Sequence, residues 1–154
     1  MKSFPSKRGA FYRAETAPST KMLGGVVLFS DFTDRKKDEF MKVAEVNLFG
    51  TFNCIRQVSE HMIGNKMHGS IVNIGSIYGV VSSDSSIYTD CDRNNSEIYS
   101  ASKAGVIQMT KYFAVHLAEN NIRVNCVVPG WIITERQRKM WLTPEIEKNQ
   151  LERQ

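Results

Sequence analysis

Two kinds of apolar pattern alternate along the chain, and they predict different elements. From Asp34 onward, Val43, Val46, Phe52, Ile55, Val58 and Met62 recur at helical spacing. The spacing predicts a helix over about 34–63, capped by Asp34 and stopped by the GNKMHG stretch that follows Ile63. Its middle is apolar on more than one side, which predicts packing against two neighbours. Ser70 to Ile74 (SIVNI) is instead a short β-branched run closed by Gly75-Ser76, the pattern of a buried parallel strand. A polar stretch, SSDSSIYTDCDRNNSE, reads as loop. A second helix is predicted over about 97–119, and RVNCVV at 123–128 gives a second buried strand ended by Pro129-Gly130. The tail carries a helix start at Thr143-Pro144-Glu145.

The first residues differ in kind. Up to about residue 22 the chain is turn-rich, and Val26 to Phe29 forms a short apolar run that suits a strand. The predicted organisation is an irregular N-terminal segment, 1–33, followed by one folded unit, 34–154. Strand, helix and strand in that order imply βαβ connectivity and a parallel sheet, hence the α/β class.

Composition narrows the function classes. The 154 residues are 42% hydrophobic and 23% charged, as in an ordinary globular domain. No apolar run approaches the roughly 20 residues that span a bilayer, and the basic opening is not followed by a secretory core. The net charge of +4 gathers near both ends, as in Lys7, Arg8, Arg136 and Arg138, which reads as solvated termini rather than a nucleic-acid surface. Cys54, Cys91 and Cys126 are scattered, which fits a reducing, cytoplasmic setting. His61, His68 and His116 make no ligand motif, so no metal is expected.

The chemistry concentrates in Tyr99-Ser-Ala-Ser-Lys103. On a helix, residues four apart share a face. A phenol titrates near pH 10, and an adjacent ammonium favours its ionised form, making a usable general acid/base. Ser76 stands where a parallel strand ends, the place where open α/β sheets bind ligands. Taken singly, each residue has a plain alternative. Asn47 could bond a backbone carbonyl, Ser76 could cap a turn, Tyr99 and Lys103 could be an ordinary aromatic and a surface lysine, and Pro129-Gly130 could simply end a strand.

Four blocks in order, VNLFGTFN, GSIVNIGSIYG, YSASKAG and IRVNCVVPGWIIT, resemble successive signatures of the short-chain dehydrogenase/reductase family. The resemblance implies a partial Rossmann-type, doubly wound parallel sheet and an NAD- or NADP-dependent oxidoreductase acting on a small carbonyl or alcohol. It implies that Asn47 organises a proton-relay water, Ser76 orients the substrate and Tyr99 donates or accepts the proton. Lys103 would lower the tyrosine's pKa and bond the nicotinamide ribose. Pro129, Gly130, Ile132 and Thr134 would contact the nicotinamide carboxamide and a nearby phosphate.

The chain also departs from the family pattern. It has no TGxxxGxG turn and no NNAG block, and it ends soon after the PGxxxT segment, so truncation at both ends is expected. Exposed edges and apolar faces should follow, with self-association as one remedy. Pairing of the 24–29 run with the sheet would be another. Ser76 and Tyr99 stand 23 positions apart, a longer gap than is usual, and the added residues include Asp84, Asp90, Asp92, Arg93 and Asn94. Such a polar lid suits a sugar or polyol and resembles a branch of carbohydrate- and surface-glycan-modifying oxidoreductases. A second class of function, a non-catalytic remnant serving as a binding or oligomerisation module, fits the same truncation.

Overall fold

The computed structural model describes residues 32–84, 86, 95–140 and 142–152. The expected strand at 24–29 and most of the expected polar lid lie outside these residues. After a short 3₁₀ turn at Phe32–Asp34 come helix α1 (Lys37–Val43), a π-helical turn (Ala44–Phe49) and helix α2 (Gly50–Gly64). Strand β1 (Gly69–Ile74) leads into a 3₁₀ turn (Ile77–Gly79). Helix α3 (Glu97–His116) is followed by strand β2 (Ile122–Val127) and the tail helices α4 (Glu135–Met140) and α5 (Pro144–Leu151).

The predicted helix over 34–63 therefore exists with two changes. Its start falls later than Asp34, which sits in the preceding 3₁₀ turn. The cap is Lys36, whose backbone N–H donates to the Glu39 carboxylate at 3.3 Å. Its middle is wound as a π turn, with the Gly50 N–H reaching back to the Glu45 carbonyl. Arg35, although next to this start, is turned inward. Its guanidinium pairs with Glu97 at 3.0 Å and fixes the entry of α1 against the first turn of α3.

β1 and β2 pair in parallel, Gly69 opposite Ile122 through Ile74 opposite Val127. Alternation along the strands sends Ile71, Ile122 and Val124 to one face, where Leu117, Met62, Phe113 and Ala114 pack on them. Asn73 points the same way, and its buried amide donates to Thr110 Oγ1 on α3 at 2.9 Å. The chain returns from α3 to β2 through Asn121, whose φ of 56° is left-handed, a conformation Asn tolerates well. The opposite face of the sheet carries Val72, Ile74 and Val127, each about half exposed (54%, 45% and 50%). The described elements thus form one layer of helices on one face of a parallel pair, a partial Rossmann-type α/β unit. A doubly wound sheet would carry helices on the second face as well.

The tail has its own small core. Leu142 and the fully buried Ile146 pack on Trp131 and Ile133. Arg138 and Glu147 close it with a bidentate ion pair, 2.8 and 2.9 Å. No helix among the described residues is long and apolar enough to cross a membrane.

Candidate active site

Ser96 caps α3 by accepting the Tyr99 N–H at 3.3 Å, so Tyr99 lies in the first turn and Lys103 one turn on, both buried. The 3₁₀ turn after β1 lies flush against this stretch. A Cβ at Gly79 would come within 2.7 Å of the Lys103 carbonyl carbon and 2.8 Å of the Ala104 nitrogen. That close approach brings Ser76, the residue before the turn, to the phenol. Its hydroxyl acts on the phenol to draw its pKa down, and it accepts the Tyr78 N–H at 3.2 Å.

Lys103 reaches across to the sheet. Its Nζ donates to the Ile74 carbonyl at 2.9 Å and lies 5.8 Å from the centre of the Tyr99 ring. Burial holds the Tyr99 phenol above its ordinary range, the Ser76 hydrogen bond pulls it partly back, and the neighbouring Tyr78 adds to the rise. Burial likewise holds the Lys103 ammonium below its ordinary range, with Cys126 opposing. The sequence reading expects the ammonium to lower the phenol. Here the ammonium is aimed at a backbone carbonyl, and desolvation sets the direction of the shift.

Asn47 is buried in the π turn, and its Nδ2 donates to Ser102 Oγ at 3.1 Å. The Ser102 hydroxyl in turn donates to the Tyr99 carbonyl at 2.7 Å. Asn47 is therefore tied to the backbone of the catalytic-type tyrosine by a two-step polar link. The Asn47 carbonyl accepts from Thr51 Oγ1 at 2.7 Å.

Pro129, Gly130, Ile132 and Thr134 follow β2 in an irregular run beyond its carboxyl end. The Pro129 carbonyl accepts the Ile77 N–H at 3.0 Å, which joins this run to the turn after Ser76. Gly130, Ile132 and Thr134 are exposed. The Thr134 carbonyl accepts the Arg138 N–H at 3.1 Å, in the first turn of α4. The structure thus brings Ser76, Tyr99 and Lys103 into one cluster, attaches Asn47 to it through Ser102, and sets the 129–134 run along its edge.

Three participants were not singled out in the sequence. Ser102 reads there as filler between Tyr99 and Lys103. Tyr78 and Trp131 stand 53 positions apart, yet the Trp131 indole N–H donates to the Tyr78 hydroxyl at 3.2 Å. The one available signal was their position, each within two residues of a quoted site residue.

Fold and cluster define a class: an α/β protein with a candidate acid–base centre at the carboxyl ends of its parallel strands. The chain matches the short chain dehydrogenase profile over residues 24–145. It is 44% identical over 105 residues to a 3-oxoacyl-[acyl-carrier-protein] reductase of Thermotoga maritima, covering 68% of this chain and 38% of that protein. A probable galactose dehydrogenase of Rhizobium meliloti is 41% identical over 124 residues, 79% of this chain and 42% of its own length. A short chain dehydrogenase of Leptospira borgpetersenii, solved with bound NAD+, superposes with a TM-score of 0.71 at 38% identity, covering 81% of this chain and 45% of that one. The chain belongs to the short chain dehydrogenase family, whose members are NAD- or NADP-dependent oxidoreductases. It spans less than half the length of each of these relatives.

Proposed function

We propose that the chain supplies the catalytic portion of an NAD- or NADP-dependent oxidoreductase acting between a carbonyl and an alcohol. The observation that carries this reading is the burial of Ser76, Tyr99 and Lys103 where β1 ends, with the Lys103 ammonium on the Ile74 carbonyl two residues before Ser76. In the reducing direction Tyr99 gives its phenolic proton to the substrate oxygen, and Ser76 holds that oxygen by a hydrogen bond. The Lys103 ammonium favours the phenolate left behind. Asn47, through Ser102, fixes the backbone from which Tyr99 projects. The nicotinamide, when bound, supplies or takes the hydride at the substrate carbon.

The residues present fit the nicotinamide end of such a cofactor. Lys103 already donates to an oxygen at the end of β1, and a ribose hydroxyl could take that hydrogen bond. Gly130, Ile132 and Thr134, which follow β2, are exposed to such a ligand. A hydroxylated substrate, a sugar or polyol, is part of the reading. It is supported by the polar run before Tyr99 and by the similarity to a probable galactose dehydrogenase. A cytoplasmic setting belongs to it too, on the three scattered cysteines.

The test is a fluorescence titration of the purified chain with NADH and NADPH. Saturable binding that is lost in Lys103→Ala is the expected result. A folded chain that binds neither overturns the reading.

A second reading, a non-catalytic self-associating module, is favoured by one feature. Met41, Leu48, Phe49, Phe52, Met109 and Phe113 line an apolar groove of about 680 Å³ between the first helical segment and α3. Phe49 and Tyr112 stand on its rim, each 55% exposed. A patch that carries both a hollow and projecting aromatics can be complementary to itself, as a two-fold interface requires. We propose a second copy of this chain as its occupant, which is compatible with the enzymatic reading. Sedimentation should give a dimer that Phe49→Glu converts to monomer; a monomeric parent chain at high concentration would remove the idea.

A further inference from the structure

Beside the acid–base cluster stands a second phenol that the mechanism above does not use. Tyr78 is half-buried on the 3₁₀ turn that follows Ser76. Three contacts fix its place. Its backbone N–H is held by Ser76 Oγ. The next residue, Gly79, lies against the backbone of Lys103 and Ala104 with no room for a side chain. Its hydroxyl accepts the Trp131 indole N–H. Trp131 is itself anchored in the tail core on Leu142 and Ile146. Tyr78 therefore bridges the turn that holds Ser76 and the run that follows β2.

The direction of the Trp131 hydrogen bond matters. An indole N–H is a donor only, so the Tyr78 oxygen is the acceptor and its own proton points elsewhere. Among the described residues no acceptor takes that proton. The phenol lies near enough to Tyr99 to oppose its ionisation.

We infer that Tyr78 is a specificity-determining residue, donating a hydrogen bond to a second substrate oxygen next to the one that Tyr99 and Ser76 take. The substrate class it selects is a carbonyl compound with a hydroxyl on the neighbouring carbon, or the corresponding diol. Trp131 acts as the positioning residue that orients this donor. The inference rests on the oxidoreductase reading only for which oxygen faces Tyr99.

The test uses the chain carrying Trp141→Phe, which leaves Trp131 as the sole tryptophan of the two in the sequence. Its emission is followed during titration with acetoin, an α-hydroxyketone, and with 2-butanone, the same carbon chain without the hydroxyl. Acetoin should bind about two- to tenfold tighter, the span expected of one neutral hydrogen bond. In Tyr78→Phe the ratio should fall to about one while 2-butanone binding is unchanged. Equal binding in the parent, a preference that survives Tyr78→Phe, or no saturable response to either ketone overturns the inference. If Trp141→Phe impairs folding, saturation-transfer NMR on the unsubstituted chain reads the same two ratios. An NADH titration on the same sample separates the two ideas. NADH binding without the preference sinks Tyr78's role alone, whereas the preference without NADH binding supports that role and sinks the oxidoreductase reading.

Discussion

Asn47 and Ser102 share a buried hydrogen bond of 3.1 Å although 55 positions separate them. Ser102 passes the link on to the Tyr99 carbonyl, so the helix carrying Asn47 and the helix carrying Tyr99 are locked at the level of the site. Ser102→Ala should destabilise the chain by about 1–3 kcal/mol, the cost of disrupting a buried polar pair. Urea denaturation measures it. In a double-mutant cycle with Asn47→Ala the two losses should sum to more than the double variant shows. Full additivity would mean the bond is energetically idle.

The Tyr99 phenol should ionise above the ordinary tyrosine range, because burial outweighs the Ser76 hydrogen bond. The phenolate absorbance lost between the parent and Tyr99→Phe isolates this group. Ser76→Ala should move the titration further up and Tyr78→Phe should move it down, since the two neighbours act with opposite signs. With the folded value above the unfolded one, the contribution of Tyr99 to stability is complete below the usual pH of about 10. It fades as the pH climbs through the folded value. A phenol titrating at or below the ordinary value would show that burial does not dominate its surroundings.

Gly79→Ala and Gly69→Ala should differ sharply. At Gly79 a methyl group meets the backbone of α3, whereas at Gly69 it meets the end of the Met62 side chain, which can swing away. The first should cost about 1–3 kcal/mol, as overpacking does, and the second less than about 1 kcal/mol. Thermal melts decide, and similar losses at both positions would contradict the close approach of turn and helix.

In the tail, apolar packing should outweigh the ion pair. Ile146 is fully buried on Trp131 and Leu142, so Ile146→Ala should weaken tail docking by about 2 kcal/mol or more. It should also shift Trp131 emission to the red. The Arg138–Glu147 pair is half exposed on its arginine side, and Glu147→Gln should cost under about 1 kcal/mol. Amide hydrogen exchange in α5 reads both. A larger effect from Glu147→Gln would reverse this ranking.

The strands were legible because a buried parallel strand is a short β-branched run between breakers. SIVNI and RVNCVV each fall within one residue of the observed β1 and β2. The long helices were legible for the same kind of reason, through their 3.6-residue apolar spacing. The π turn was not, since one extra residue within an apolar-all-round segment leaves the spacing looking unbroken. Asp34 misled as a cap because Asp favours that position in general, whereas Arg35, paired with Glu97, sets the entry and the cap falls two residues later at Lys36. Tyr99, Lys103, Ser76 and Asn47 could be picked out as local motifs. Ser102, Tyr78 and Trp131 could not, because their roles exist only in contacts between distant segments.

The π turn at Ala44–Phe49 also sets a phase. Upstream of it, Arg35 and the fully buried Val43 face the rest of the unit; within it, Asn47 faces α3; beyond it, Ile55 is buried too. One residue of a 3.6-residue turn corresponds to a rotation of about 100°. Deleting a single residue here would keep the composition and the helix, yet swing everything before it around the axis. Val43 would leave its niche and the Arg35–Glu97 pair would part, while Asn47 and Ser102 could still meet. The extra residue acts as a gear tooth, matching two faces of one rod to two different neighbours.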